Sequence, residues 1–548
     1  MASSLARSQF FFSGNFAITA AAKSCRSQLL VKPCSVSKSA AKSLAKTLPF
    51  LGTSSAIPKS NVGFSAYSSF AKRQFSTSSS RNNFLNTSTR RLFSTAPQRR
   101  SATSPSNQEM LNAAQQVAKA YTENPLIKTT KRRPVNTWKP VGYWLIFGSG
   151  LVFGIVVLGG LTRLTESGLS ITEWKPVTGS VPPRTEQEWE EEFEKYKSSP
   201  EFKLLNSNIT LPEFKFIFFM EWAHRLWGRA IGLYIVLPAA YFVLARKVTP
   251  HVTGRIGIIS ALLGLQGFIG WWMVKSGLDN KFLEEPGSHP RVSQYRLATH
   301  LCAAFILYSA MLFTGLDIIR EAQWIKAPEA AVKEITKLDN PAIRRYRSFG
   351  KGLFAFVFLT AMSGAFVAGL DAGMIYNSFP YMGETIVPPK SELFNESYNK
   401  QNPESSWSLF WRNMLENPTT VQFNHRVLAV STFFLITAFH LYTHRKRPFL
   451  PRSVFRANSA VMGLVTLQVT LGISTLIYVV PTPLAAAHQA GALALLTAVI
   501  YMCARLKQPR TAQRLLISAL ERQASKKAAE KSSKVFVKLP NKASSFSA

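Results

Sequence analysis

The sequence predicts an all-α, polytopic membrane protein with eight transmembrane helices arranged as two pseudosymmetric four-helix bundles. Three observations predict it. The apolar residues collect in blocks of roughly 18–24, the length a helix needs to cross about 30 Å of hydrocarbon. The polar segments between blocks differ systematically in charge. A set of short landmarks recurs, in the same order, in the first and second halves of the chain.

The eight blocks are Trp144–Leu161, Phe214–Leu244, Ile256–Val274, Leu297–Leu316, Leu353–Leu370, Val427–Leu441, Ala457–Val480 and Leu484–Ala504. Such blocks take the form of spanning helices because backbone groups in lipid must find their hydrogen bonds within the segment. The sixth is short unless its helix begins upstream, near Val421. Residues 183–204 read as a solvated amphipathic helix, and residues 320–345 and the tail beyond 510 also have helical character.

The formal charge of +36 is concentrated at the ends. Residues 1–108 contain 15 Lys or Arg, no Asp or Glu, and much Ser and Ala, the composition of a mitochondrial transit peptide. Arg73–Ser76 and Arg91–Ser94 are Arg-x-Phe-Ser processing candidates. The alternative is a basic arm for RNA or anionic lipid, but nothing downstream resembles a nucleic-acid module, so no nucleic-acid partner is expected. The domain reading is a leader at 1–95, an N-terminal segment at 96–140, bundles at 141–318 and 351–505, a linker at 319–350 and a basic tail at 506–548.

Loop charges orient the bundle, since basic residues favour the side from which the chain inserts. Loop 245–256 has three basic residues and no acid, and loop 444–456 has five and none. By contrast 165–214 has ten acidic residues against five basic, and 371–424 has six against three. Both termini are therefore expected in the matrix of an inner mitochondrial membrane, with the acidic loops on the opposite side. The four cysteines, Cys25, Cys34, Cys302 and Cys503, show no spacing for a disulfide framework, zinc or an iron–sulfur cluster.

The repeat supplies the candidate chemistry. In the first half the landmarks are His224-Arg225, Leu265-Gln266-x-x-x-Gly270 and Ala298-Thr299-His300. In the second they are His425-Arg426, Leu467-Gln468-x-x-x-Gly472 and Ala486-Ala487-His488. All four histidines fall near the starts of even-numbered spans, on one face of the membrane, and each half contributes two. An iron porphyrin with two axial imidazoles requires one ring from each of two facing helices at equal depth. Histidines that merely bond across helices are the simpler alternative, although polar residues at depth are costly and usually functional. His251, His289, His440 and His444 show no such order.

Arg225 and Arg426 point away from their histidines. They suit a heme propionate, a lipid phosphate or simple snorkelling to the interface. Gln266 and Gln468 suit a helix-to-helix hydrogen bond or a ligand-orienting one, and Gly264, Gly267 and Gly270 suit close helix packing. One asymmetry between the halves matters more than their symmetry. Glu221 stands three residues before His224, on the same helix face, where Gln422 stands before His425. A carboxylate can accept a proton or attack an electron-poor carbon, and an amide is poor at both. The alternative for Glu221 is an ion pair with Arg225 or Arg229.

The run Gly159-Gly160-Leu161-Thr162-Arg163-Leu164-Thr165-Glu166-Ser167-Gly168-Leu169-Ser170 resembles a signature of heme A synthases. So do Glu173-Trp174-Lys175-Pro176, Glu221-Trp222-Ala223-His224-Arg225 and the segment from Ala372 through Asn377-Ser378-Phe379-Pro380. The resemblance covers about 140–505 and points to the mitochondrial branch. It implies oxidation of a heme O methyl group to the formyl group of heme A, for cytochrome c oxidase. It also implies a heme O substrate ligated by His224 and His300, a heme b cofactor ligated by His425 and His488, and Glu221 as catalytic carboxylate. Arg163 joins Arg225, Arg426, Gln266 and Gln468 as propionate-binding or orienting candidates. Ferredoxin as electron partner, heme O synthase and oxidase assembly factors are the partners it implies, beside the membrane lipid. A homo-oligomer stays open. This chain lacks the external cysteine pair of some bacterial members, having no Cys between 35 and 301. Two rival readings remain: a di-heme b-type electron-transfer protein, and a transporter or respiratory-complex assembly factor without chemistry on heme.

Overall fold

A computed structural model describes residues 112, 115–116, 134–284, 289–400 and 404–537. The leader expected at 1–95 lies outside the described residues.

Among the described residues, eight helices are long and apolar enough to cross a membrane. They are α1 (Lys139–Leu164), α2 (Leu211–Leu244), α3 (Pro250–Gly277), α4 (Gln294–Lys326), α5 (Pro341–Gly369), α6 (Pro418–Lys446), α7 (Arg452–Ile477) and α8 (Thr482–Leu506). Each contains the block predicted for it, apart from residues at the ends. The sixth does begin upstream: Pro418 opens α6, and the Asn417 side chain caps it by accepting from Thr419 N at 3.0 Å. Proline in the first turn recurs in α1, α2, α3, α5, α6 and α8, where its missing N–H costs nothing.

Within the first half, α1 packs on α2 and α4, and α3 packs on α2 and α4. Within the second, α5 packs on α6 and α8, and α7 packs on α6 and α8. The two rings meet where α4 touches α5 and α8, and where α8 touches α1. Val141, Leu145, Ile235, Ile259, Met311, Val461, Leu493 and Val499 fill the shared core. Leu233, Leu237, Phe434 and Leu441 point outward, as apolar side chains on lipid-facing helices do. Polar contacts pin the seam: Tyr308 Oη meets Thr497 Oγ1 at 2.6 Å, and Gln489 Nε2 donates to Val156 O at 2.9 Å.

The helix expected at 183–204 is two helices, Glu186–Lys197 and Pro200–Leu204. The break lies where Ser199 caps Phe202 N at 3.3 Å and Pro200 restarts the turn. It is not wholly solvated either, since Trp189 and Tyr196 are buried against Phe214, Ile217 and Phe218 of α2. This cap covers the end of the first bundle that carries the histidines. At the other end α4 runs on to Lys326, and Pro328–Asp339 fills the step to α5. The tail helix, Thr511–Val537, lays Ile517 against Trp324 and Ala331 there.

Candidate functional site

Successive spans alternate in direction, so the starts of α2, α4, α6 and α8 lie on one side. His224, His300, His425 and His488 are half-buried there. Each bundle carries two of these imidazoles, His224 on α2 and His300 on α4 in the first, His425 on α6 and His488 on α8 in the second.

Every one of these rings rests against a glycine of the preceding odd-numbered helix. A Cβ added at Gly159 would lie 2.8 Å from His224 Cε1, and at Gly270, 3.3 Å from His300 Cε1. The corresponding distances are 3.3 Å from Gly364 to His425 and 2.8 Å from Gly472 to His488. The Gln-x-x-x-Gly landmark thereby acquires a meaning. Residues four apart share a helix face, so the glutamine and glycine of one helix meet the same histidine of the next. Gln266 Nε2 donates to His300 O at 3.2 Å, and Gln468 Nε2 lies 2.9 Å from His488 O and 3.1 Å from its Nδ1. Gly270 therefore seats an imidazole. Gly264 and Gly267, also expected in helix packing, have nothing within 4 Å of an added Cβ, so close packing does not require them.

Gly472→Ala is accordingly expected to push the His488 ring off its seat. Low-spin heme absorbance in purified protein should fall by up to roughly half, the share of the second bundle, with little change in thermal stability. Full retention of that absorbance would refute the cradle.

Glu221 is buried. Its Oε1 accepts from Arg225 Nη2 at 2.6 Å, and its Oε2 accepts from Ser170 Oγ at 2.7 Å and Ile171 N at 2.8 Å. Arg225 also donates to Ile171 O at 3.0 Å and Glu173 O at 3.1 Å. Arg225 thus makes the ion pair that was the alternative reading of Glu221, and it also holds this loop. The Ser170–Glu173 stretch of the family-like signature is what the pair anchors. In the second bundle Gln422 Nε2 and Arg426 Nη2 both donate to Tyr376 O, at 3.0 and 2.9 Å. Among the described residues Arg426 meets only carbonyls as hydrogen-bond partners, adding Tyr381 O at 3.2 Å, and its buried Nε has none. It keeps an uncompensated charge that Arg225 does not. Arg163 makes a two-pronged pair with Asp371, at 2.8 and 2.9 Å, tying the end of α1 to the end of α5.

Two features escape sequence reasoning. Ser363 Oγ lies 2.7 Å from His425 Nδ1, a contact with no linear motif. Glu201, in the cap, is buried with Oε2 unpartnered. Burial first, then the nearby charges of Glu221 and Glu166, push its carboxyl up to about 8. Of the remaining histidines, His440 and His444 meet each other, Nε2 to Nε2 at 3.2 Å, at the far end of α6.

The donor set suits an iron porphyrin. Among the described residues no group of three or more His, Cys, Asp or Glu converges on a common metal position, so a bare ion would lack a complete protein coordination shell. Two imidazoles suffice when a macrocycle supplies the other four nitrogens. Of the four rings, His425 has a hydroxyl oxygen, Ser363 Oγ, beside its Nδ1 that can accept the Nδ1 proton and leave Nε2 to bind a metal.

A family model described as "Cytochrome oxidase assembly protein" matches residues 142–500. Heme A synthase COX15 of Saccharomyces cerevisiae is 57% identical over 366 residues, covering 67% of this chain and 75% of that protein. A heme A synthase–mitochondrial ferredoxin fusion protein of Schizosaccharomyces pombe is 50% identical over 64% of this chain and 57% of its own length. Heme A synthase COX15 of Homo sapiens is 46% identical over 64% of this chain and 79% of its own. The match runs through every spanning helix and all four glycine-seated histidines, and the chain belongs to the COX15-CtaA family of cytochrome oxidase assembly proteins.

Proposed function

We propose that this chain is a heme A synthase, which oxidises a methyl group of heme O to the formyl group of heme A in the inner mitochondrial membrane. The observation that carries the reading is the seating of two imidazole pairs, one per bundle, each ring on its own glycine. His224 and His300 hold the substrate, heme O. His425 and His488 hold heme b, with the uncompensated Arg426 available to a propionate. Both termini face the matrix, in keeping with the basic loops at the ends of the spans opposite the histidines.

Turning a methyl group into a formyl group with water releases four electrons and four protons: R–CH3 + H2O → R–CHO + 4 H⁺ + 4 e⁻. Heme b, when bound, supplies one-electron redox capacity for this transfer. Glu221 takes up protons beside the substrate pair. Both its oxygens are engaged by Arg225, Ser170 and Ile171, which disfavours nucleophilic attack, and a proton reaches the carboxylate only as one of these donors gives way. The cap of Trp189, Tyr196 and Phe214 covers this end of the bundle and limits water. The ferredoxin-fused relative supports an electron partner of that class. The direction of electron flow follows the source of oxygen: outward with water, inward with dioxygen.

Mass analysis of porphyrins extracted from the purified protein tests the assignment. Farnesylated heme O or heme A beside heme b is expected, and heme b alone in both bundles would make the chain an electron-transfer protein. Turnover in 18O-labelled water, with the formyl group trapped by borohydride before it exchanges, is expected to place the label in the product. Label drawn from dioxygen would overturn the water route.

A further inference from the structure

The two histidine pairs differ in what stands behind them. Ser363 Oγ lies 2.7 Å from Thr360 O and 2.7 Å from His425 Nδ1. The hydroxyl has one proton, and the carbonyl, having none, must receive it. Ser363 therefore accepts from Nδ1–H, which leaves Nε2 of His425 unprotonated and free for iron. The polar chain continues from Thr360 Oγ1 to Thr432 Oγ1 at 2.7 Å. His488 Nδ1 faces Gln468 Nε2 at 3.1 Å, a donor that cannot accept the ring proton, so the support is specific to His425.

The first bundle has none of this. Counted from the glycine that seats each ring, Leu158 takes the place of Ser363 and Ile155 that of Thr360. Counted from the histidine, Ile231 takes the place of Thr432. His224 Nδ1 and His300 Nδ1 are both buried with no hydrogen-bond partner. Gln266 reaches only the backbone of His300. An imidazole that binds iron through Nε2 must carry its proton on Nδ1, and a buried N–H without an acceptor weakens the bond it supports.

We propose that Ser363, by fixing the tautomer and orientation of His425, makes the C-terminal heme resident, and that the apolar Leu158 position leaves the N-terminal pair able to release its heme. This rests on the heme reading of the two pairs. A site for a substrate must let its product go, whereas a site for a cofactor must not. The asymmetry behind the rings supplies that difference in chain whose ligands are otherwise alike. Ser363 is a positioning residue, acting through His425.

The test is heme transfer from the purified full-length protein, in detergent, to excess apomyoglobin, followed by absorbance. Wild-type protein should release heme in a fast and a slow phase. Ser363→Ala should accelerate the slow phase about 10–100-fold and shift the low-spin EPR signal of the heme it loses, while Ser363→Thr restores both. Leu158→Ser, which leaves the second bundle intact, should retard the fast phase. A slow phase and an EPR signal unchanged in Ser363→Ala would overturn the proposal, as would an unaltered fast phase in Leu158→Ser. His425→Ala separates the two levels. If that variant keeps the slow phase, the heme assignment itself is wrong; if it loses the phase while Ser363→Ala keeps it, only the role of Ser363 fails.

Discussion

Protein carrying His425→Leu is expected to fold, insert and contain no heme in its second bundle. Leucine fills much of the imidazole volume, and Ser363 keeps its hydrogen bond to Thr360 O, so the stability cost is about 1 kcal/mol for the lost Nδ1 contact. The metal loses one of its two axial ligands. Loss of a partner behind a ligand already costs about 10–100-fold in affinity, so loss of the ligand itself should exceed about 100-fold. Heme quantification beside a thermal melt separates the effects: roughly half the wild-type heme, a melt shifted by only a few degrees, and no heme A formed. Stoichiometric heme in this variant would remove the basis for the functional assignment.

Glu221→Gln is expected to abolish turnover, by about 10²–10⁴-fold for loss of a positioned proton acceptor, while both bundles still bind heme. The structure shows why this variant alone is ambiguous. Three donors converge on the carboxylate, and an amide offers them one oxygen and turns its own N–H2 toward the rest. Breaking a buried pair from one side costs roughly 3–5 kcal/mol, while replacing both partners with neutral groups is often tolerated. The double variant Glu221→Gln/Arg225→Met resolves it. If the carboxylate reacts, the double variant regains stability and stays inactive. If the carboxylate only anchors residues 170–173, Arg225→Met alone, which keeps the carboxylate but removes the donors to Ile171 O and Glu173 O, is as harmful to heme A formation as Glu221→Gln.

Much of this was legible in one dimension. A span declares itself through an unbroken run of apolar residues, because its solvent is lipid all along its length. The eight blocks therefore locate the helices; most ends differ where further residues extend a helix beyond its block, while α5 and α7 stop at Gly369 and Ile477, short of Leu370 and Val480. At its C-terminal end α4 outruns its block Leu297–Leu316 to Lys326, since Arg320 there finds Glu334 at 3.0 Å. The 183–204 segment was harder: its amphipathic pattern shows a helix with one apolar face, but not that Trp189 and Tyr196 would be buried on Phe214.

The sequence by itself determined the number of spans, the register of four histidines on one side of the membrane, and the single carboxylate that distinguishes the halves. These follow from local properties: hydrophobic run length, helical periodicity and repeat position. Only the tertiary structure decided what each side chain touches. It gave Arg225 to Glu221 and Arg163 to Asp371, a partner 208 residues away. It set each imidazole on a glycine and put Ser363 beside His425 Nδ1, while His224 Nδ1 has no hydrogen-bond partner among the described residues. A hydrogen bond depends on distances of a few tenths of an ångström between groups remote in sequence, and those distances exist only once the helices have packed.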